Sequence, residues 1–178
     1  MRYPTFDELF RILPETLQQN LENCIQDPRY HGEGSVANHM RLVFDQLLLN
    51  FSHSEHFPLL SLAVIFHDIA KPETKTIGKR PDGTTKIQHI GHETACLKYI
   101  SDLLPRYVSN FSEVYRDVKI EDLRYICANH MIAHVWREAQ EGKGKINKKR
   151  PRWKVFETHP LYPVLMMFAE CDERGRII

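Results

Sequence analysis

The sequence predicts an all-α fold, and three observations lead to that prediction. Apolar residues recur every three or four positions in several segments, a spacing typical of amphipathic helices. The run 59–66 is apolar at nearly every position, so we expect a helix that is buried on all sides. Capping residues and prolines stand where helices would begin, as Thr5 does with Glu8 three residues later. We therefore expect a helical bundle around one buried helix.

Length and composition favour one domain spanning residues 1–178, with an N-terminal packing helix in 1–27 and a core in 28–176. A net charge of +1 with 42% hydrophobic residues implies neither disorder nor a generally basic surface. The four cysteines form no Cys-x-x-Cys pair, which favours free buried thiols in a reducing compartment. The chain shows no signal peptide and no apolar run of about 18 residues, so we expect a cytoplasmic protein without a membrane span.

The first third of the chain predicts two helices joined by a loop. Residues 5–23 have helical spacing, and Pro14 is expected to kink that helix or split it in two. Residues 27–34 are a loop by their proline and glycine content. Ser35 then caps a helix to about Phe51, in which His39 lies at the edge of the apolar stripe and points inward.

The central apolar run ends in the doublet His67-Asp68. A carboxylate beside an imidazole on a core helix costs free energy unless something pairs with it. Two explanations are open, a buried His–Asp hydrogen bond and a metal ion. We expect Pro72 to end this helix, which places the doublet near a helix C-terminus, where a cleft can form.

The polar stretch 73–88 carries an Asp82-Gly83 turn signal, so a small β-hairpin can form there. His89 and His92 follow, three residues apart, and the spacing predicts that they share one face at the start of a helix. That helix is expected to run to about Leu104 and to end at Pro105.

Residues 120–140 predict one long helix or two short ones, with His130 and His134 on a shared face. The expected apolar face consists of Ile120, Leu123, Ile126, Cys127, Met131 and Val135. Pro160 and Pro163 are expected to open the last helix, which carries Asp172 near its end. An acid there opposes the helix dipole, so it needs a positive partner, for which Arg174, Arg176 and a metal ion are the alternatives.

Basic residues are concentrated between Lys143 and Lys154, a stretch that also contains Trp153. A solvated flexible loop is the simpler interpretation. The alternative is a contact for phosphate or RNA, because clustered lysine and arginine with an aromatic side chain favour a polyanion.

The polar residues near buried faces come from separate helices, and a divalent cation would collect them in one site. The candidate metal ligands are His39, His67, Asp68, His92, His130 and Asp172. Mixed histidine and carboxylate ligation suits zinc, manganese, iron, cobalt or nickel more than calcium. Magnesium is kept as a further candidate ion. The set is large enough for one or two ions, and two ions are used in phosphate ester hydrolysis.

His39, the His67-Asp68 doublet and the late Asp172 together resemble the HD-domain superfamily of metal-dependent phosphohydrolases. Further segments resemble the HD segment of bacterial CCA-adding tRNA nucleotidyltransferases, and the resemblance covers residues 28–176. The segments that carry it are Tyr30-His31-Gly32-Glu33-Gly34-Ser35-Val36, His67-Asp68-Ile69-Ala70-Lys71-Pro72, Asp82-Gly83, Gly91-His92-Glu93 and Glu170-Cys171-Asp172-Glu173-Arg174-Gly175-Arg176.

The resemblance implies a helical HD-domain bundle with the site between its helices. It implies a first metal on His39, His67, Asp68 and Asp172, with Asp68 bridging to a second metal on His92 and His130. Lys71 would face the substrate phosphate, and Asp68 would hold the metal that activates water. His89 or His134 would protonate the leaving oxygen.

The HD segments of that family are associated with phosphatase, phosphodiesterase and 2′,3′-cyclic phosphodiesterase activities on nucleotides. This chain lacks the nucleotidyltransferase domain with its Gly-Ser and Asp-x-Asp motifs, so CCA addition is not implied. We therefore expect a phosphohydrolase that acts on a nucleotide or an RNA end. The alternatives are a non-catalytic nucleotide- or RNA-binding HD module and a structural metal protein.

Overall fold

The computed structural model describes residues 2–147 and 151–178, and these residues form a mostly helical molecule with a two-stranded antiparallel sheet. The elements are, in chain order, α1 (Phe6–Phe10), α2 (Glu15–Asn23), α3 (Val36–Phe51), α4 (Phe57–Phe66), α5 (Lys71–Thr74), β1 (Lys75–Lys79), β2 (Thr85–His89), α6 (His92–Asn110), α7 (Ser112–Tyr115), α8 (Ile120–Gln140), α9 (Pro151–Thr158) and α10 (Tyr162–Arg174).

The centre of the molecule is α4, as the apolar run predicts. Every residue of α4 except Pro58 is buried, so this helix has no solvent-facing side. Helices α3, α6, α8 and α10 pack around it. Burial on all sides is what a helix without a polar stripe requires, because apolar surface left in water costs about 25 cal/mol per Å².

The N-terminal segment is split rather than kinked. Helix α1 ends at Phe10 and α2 begins at Glu15, with Pro14 at the N-cap of α2. The Thr5–Glu8 capping box is present in both directions, side chain to backbone and backbone to side chain. Proline cannot donate the backbone hydrogen bond that a continuous helix would need at this position, so the chain starts a new helix there.

The hairpin predicted in 73–88 is confirmed. Strand β1 pairs with β2 in a register that places Lys75 opposite His89 and Lys79 opposite Thr85. Gly83 has a φ of +80° in the turn, a conformation that glycine adopts without steric cost. The nearly buried Asp27 accepts hydrogen bonds from Arg80 and from the Ile87 backbone, which fastens the hairpin to the loop before α3.

Two proline predictions are wrong. Helix α4 ends at Phe66, and Pro72 lies in the first turn of α5, where its fixed φ suits a helix start. Pro105 does not end α6, which continues to Asn110. The lost backbone hydrogen bond at Pro105 is offset by packing of the same helix, whose Leu104 and Tyr107 are buried on either side of it.

Helix α8 is one continuous helix, and its buried face differs from the prediction. Met131 and Val135 are 41% and 45% exposed, although they fit an apolar stripe. The buried stripe instead passes through His130 and His134. Pattern reading fails here because the two histidines occupy positions that an ordinary core helix would give to apolar residues.

The basic stretch is only partly described. Residues 148–150 lie outside the described residues, so the prediction of a loop or a polyanion contact is not tested there. Helix α9 starts at Pro151, which replaces part of the expected loop, and Trp153 is buried against Trp136. Trp153 is therefore not an exposed platform on which a base can stack.

The last helix reaches back to α3. Pro163 lies in the first turn of α10, while Pro160 precedes the helix. A Cβ on Gly175 would lie 2.9 Å from the backbone nitrogen of Val43, so only glycine permits this approach of α10 to α3. All four cysteines are free and buried, as predicted. No helix in the described residues is long and apolar enough to cross a bilayer.

Candidate metal centre

The six predicted metal ligands lie together in the interior. Each is at most 4% exposed, and they come from α3, from the end of α4, and from α6, α8 and α10. Their ligand atoms form two groups, within each of which all atoms are within 4.8 Å of one another. One group is His39, His67 and Asp172, and the other is Asp68, His92 and His130.

Three of these histidines turn the same ring nitrogen away from the cluster. The Nδ1 atoms of His67, His92 and His130 face the backbone carbonyls of Val64, His89 and Cys127 at 3.0, 2.6 and 2.6 Å. A carbonyl only accepts, so each Nδ1 carries the proton. In the neutral ring the lone pair is then on Nε2. This is the arrangement typical of metal-bound histidine, in which the second nitrogen donates to a carbonyl.

Asp68 lies between the two groups. Its Oδ1 is 3.2 Å from His92 Nε2 and 3.9 Å from His130 Nε2. Its Oδ2 is 3.3 Å from His67 Nε2 and 3.8 Å from His39 Nε2. One carboxylate therefore presents an oxygen to each side, and four imidazole nitrogens surround it.

Asp172 is the second buried acid, and the structure shows which groups lie close enough to balance its negative charge. Its Oδ1 is 2.9 Å from His39 Nε2, and its Oδ2 is 2.6 Å from His134 Nε2. Arg176 lies 3.8 Å away, whereas Arg174 pairs with Glu170 on the same helix. Of the two predicted arginines, Arg176 is thus the one near Asp172.

The donor set fits a divalent cation. Within the described residues, His67 Nε2 and Asp68 Oδ1 are buried without a hydrogen bond, and Asp68 Oδ2 has only the ion pair with Lys71. The Nε2 atoms of His92 and His130 face each other at 3.1 Å. Two nitrogen lone pairs at this distance repel, and buried polar groups without partners cost about 1–3 kcal/mol each. A cation bound by these atoms would relieve both penalties, so the cluster could hold a metal ion.

Lys71 borders the cluster on the side of α5. Its Nζ is 2.7 Å from Asp68 Oδ2 and donates to Gln26 Oε1 at 2.7 Å. The side chain is 9% exposed, so its charge is held close to the carboxylate rather than in water. Lys71 also borders an open cleft, so its positive charge lies between the buried Asp68 and the cleft.

The cleft beside the cluster has a volume of about 530 Å³. Its wall combines cationic side chains, histidines and exposed apolar side chains. They include Lys71, Arg176, His31, His89, His92, Tyr30, Ile90 and Met131. A cleft of this size falls within the range that binds small organic ligands.

His89 is positioned differently from the prediction. It ends β2, whereas His92 begins α6, so the two do not share a helix face. Both nevertheless border the cleft. His89 Nδ1 donates to the Lys71 carbonyl at 2.8 Å, and its buried Nε2 has no hydrogen-bond partner among the described residues. The spacing rule fails because a left-handed Gly91 separates strand from helix.

The buried charges shift the titration of the cluster. Burial raises the pKa of Asp68, but the nearby His67 and Lys71 outweigh it and hold the pKa well below its usual range. Burial lowers the pKa of His130 well below its usual value, so its Nε2 lone pair is available at neutral pH. Burial also lowers the pKa of His39, but Asp172 and Glu33 outweigh it, and the net shift is upward.

Two residues beside the cluster are absent from the predicted set. His31 Nδ1 is 2.7 Å from Glu33 Oε1, and the same oxygen is 3.0 Å from His39 Nδ1. The side chain of Glu33 is only 1% exposed. His31 and Glu33 lie in the polar loop ahead of α3. Helical periodicity does not assign loop residues to a core, so the sequence pattern did not place them beside the cluster.

No protein-family model, curated protein or solved structure matches this chain in the comparisons.

Proposed function

We propose that this protein is a metal-dependent phosphohydrolase of the HD-domain type, which cleaves a phosphate ester of a nucleotide or RNA end. One observation carries the proposal. Four imidazole Nε2 atoms surround Asp68, and three of those rings have the other nitrogen tied to a backbone carbonyl. In structural zinc sites four protein ligands close the coordination sphere. A cluster of six potential ligands beside an open cleft suits catalysis better.

The ligand set separates into two halves around Asp68. His39, His67 and Asp172 would hold one ion, and His92 with His130 would hold a second, with Asp68 between them. A bound divalent ion lowers the pKa of a water molecule from about 15.7 to about 7, which supplies a nucleophile at neutral pH. Manganese, nickel, cobalt, iron, zinc and magnesium all remain candidates.

Lys71 would bind the substrate phosphate. Its ammonium group borders the cleft and lies next to the buried Asp68. A cation at the entrance neutralises non-bridging phosphate oxygens, whose charge grows as a phosphate ester is cleaved. Arg176 borders the same cleft, and its buried Nε makes no hydrogen bond within the described residues.

His89 and His134 are the candidates for proton transfer. Because His89 Nδ1 donates to a carbonyl, its free Nε2 accepts a hydrogen bond in the neutral ring. Burial lowers the pKa of His89, which favours that neutral form. His134 Nε2 lies 2.6 Å from Asp172 Oδ2, so His134 would orient this carboxylate. His134 would donate a proton to a leaving oxygen only after its contact with Asp172 is broken.

The rim of the cleft favours a substrate in which the phosphate carries an organic group. Tyr30, Ile90 and Met131 are 58%, 74% and 41% exposed, although all three are apolar or aromatic. Aromatic and apolar side chains stack on nucleobases with little sequence preference. A contact of RNA with the basic stretch Lys143–Lys154 remains part of the proposal, carried by its lysines and arginines rather than by Trp153.

The test combines metal content with turnover. The purified protein is analysed for bound metals and assayed on bis-p-nitrophenyl phosphate, nucleoside monophosphates and 2′,3′-cyclic nucleotides with manganese, nickel, cobalt and magnesium. We expect about one or two equivalents of metal, as the two ligand groups suggest, and hydrolysis of at least one ester class.

Asp68→Asn is the diagnostic variant, and Asp45→Asn is its matched control. Asp45 is an exposed residue on α3, the helix that carries His39, so its loss changes the same charge without touching the cluster. Turnover should disappear in Asp68→Asn and persist in Asp45→Asn. Tight metal and nucleotide binding without turnover would instead identify a binding module, and no metal uptake at all would refute the proposal.

A further inference from the structure

The loop before α3 brings one carboxylate oxygen to two histidines. Glu33 Oε1 lies 2.7 Å from His31 Nδ1 and 3.0 Å from His39 Nδ1, and the two rings stand edge to face with centroids 5.0 Å apart. The His39 contact is at hydrogen-bond distance but out of line, so it is the weaker of the two. Glu33 is not among the ligand atoms that surround Asp68.

The second oxygen of Glu33 is also occupied. Glu33 Oε2 accepts the backbone N–H of Ile177 at 3.0 Å, and Gly32 N–H donates to the Ile177 carbonyl at 2.6 Å. A Cβ on Gly32 would lie 2.9 Å from that carbonyl oxygen. The tail after α10 therefore holds the Glu33 carboxylate through the oxygen that the histidines do not contact.

These contacts argue against a third metal site at His31, Glu33 and His39, although their ligand atoms are close enough. His39 would then have to offer a lone pair from Nδ1 here and from Nε2 to the main cluster. A neutral imidazole has only one lone pair for a ligand, since its other nitrogen carries the proton. A carboxylate facing two Nδ1 atoms is the expected acceptor for their two protons.

We propose that Glu33 is a positioning residue, which holds the Nδ1 protons of His39 and His31. With an ion bound, His39 would then present its Nε2 lone pair to that ion, and His31 keeps its Nε2 free at the wall of the cleft. For His39 this inference rests on the proposed metal site. For His31 it does not, because His31 is outside both ligand groups around Asp68. Carboxylates in this role typically change metal affinity by 10- to 100-fold.

The first test measures zinc affinity by competition with a fluorescent chelator. In Glu33→Gln the side chain keeps its size but has one acceptor oxygen, which cannot serve both histidines and Ile177. We expect the zinc affinity of Glu33→Gln to fall by about 10- to 100-fold. An affinity within about threefold of the unmodified protein would overturn the assignment for His39.

The control is Glu93→Gln. Glu93 begins the same helix as His92 and lies 3.5 Å from His92 Nδ1, but that Nδ1 donates to the His89 carbonyl instead. The control thus removes an equal charge near the cluster without removing an acceptor for a ring proton. If both variants lose affinity equally, the effect is general electrostatics and the proposal fails.

The second test needs neither metal nor activity. Nitrogen-15 spectra of the metal-free protein at neutral pH report which ring nitrogen of His31 carries the proton. We expect the Nδ1–H form in the unmodified protein, and a loss of the protected Nδ1 proton in Glu33→Gln. An Nε2–H form of His31 in the unmodified protein would overturn the proposal. A protein that shows the expected form but takes up no zinc would refute the proposed function and leave this assignment of His31 standing.

Discussion

At the scale of single residues, Asp68 makes the contacts on which the candidate metal site depends most. It is 1% exposed, it contacts both ligand groups, and it pairs with Lys71. Burying a carboxylate without partners is prohibitive, so the acid is tolerated only because imidazoles and an ammonium group surround it. The same environment makes its two oxygens strong ligands.

Removing either member of the doublet should therefore remove the site. We expect His67→Ala and Asp68→Ala to lose metal binding and phosphohydrolase activity, because each deletes a ligand that no neighbour replaces. Elemental analysis and turnover of both variants check this. Activity retained in both would contradict the metal mechanism.

His31 gives a pH dependence whose sign can be stated. Burial, with the nearby charge of Lys71, lowers the pKa of His31 to about 4 in the folded protein, whereas the unfolded value is about 6.5. The unfolded state then binds the proton more tightly. The stability due to neutral His31 is complete above about pH 6.5 and is lost as the pH falls toward about 4.

The check is urea unfolding of the metal-free protein across that pH range. His31→Asn should lose less stability on acidification than the unmodified protein does, while His53→Asn, at an exposed position, should behave like the unmodified protein. Some decline should persist in His31→Asn, since burial lowers the pKa of His130 too. Identical pH slopes in all three proteins would contradict the role of His31.

At the scale of elements, α6 and α8 form the wall that carries His92 and His130. They pack along each other, and α6 accepts a proline in its interior to do so. Pro105 is exposed, so its ring contributes little packing in return for the hydrogen bond that it removes. The helix persists because tertiary contacts, not local preference, decide its length.

Pro105→Ala should accordingly stabilise the protein. Alanine restores the backbone donor and is favoured over proline by about 3 kcal/mol in a helix interior. Up to about 1 kcal/mol of this gain is offset because alanine makes the unfolded chain more flexible. We expect a gain of about 2 kcal/mol, or roughly 4–8 °C in the unfolding midpoint. Ser109→Ala, exposed on the same helix, should change stability by less than about 0.5 kcal/mol, and a destabilised Pro105→Ala protein would contradict the argument.

At the scale of the whole molecule, the candidate site joins distant parts of the chain. His39 and Asp172 are 133 residues apart in sequence and 2.9 Å apart in space. A ligand set drawn from five places in the chain exists only in the folded state. Any ion that binds it must therefore stabilise the fold as a unit.

Added metal should raise the free energy of unfolding by about 2.7 kcal/mol at a concentration 100 times its Kd. A chelator should reverse the change, and Asp172→Ala should reduce it, because the group of His39 and His67 then lacks its ligand from the last helix. Denaturant titrations with zinc or manganese measure the effect. A metal-independent midpoint in the unmodified protein would contradict it.

Much of this molecule could be predicted from its sequence, and the failures have physical reasons. Helical content, the buried α4, the hairpin and the closeness of the six candidate ligands follow from periodicity, turn signals and unexplained polar residues in apolar runs. Two helix ends were not predicted. Helix α4 ends at Phe66, ahead of Pro72, which lies in the first turn of α5, and α6 continues through Pro105 to Asn110 because packing overrides the local effect of proline. Glu33 was outside the predicted ligand set because its contacts with His39 and Ile177 join separate parts of the chain, which helical periodicity does not encode.

The placement of Asp172 also has a kinetic consequence. Helix α10 packs against α3 and α8, and Asp172, 2% exposed, lies on the buried face of α10. The cleft reaches the cluster at His92, whereas neither His39 nor Asp172 borders it, so an ion held between these two would leave only when α10 lifts from its neighbours. Its residence time would then equal the waiting time for that opening, and isotope exchange of the ion would keep pace with hydrogen exchange of the α10 amides.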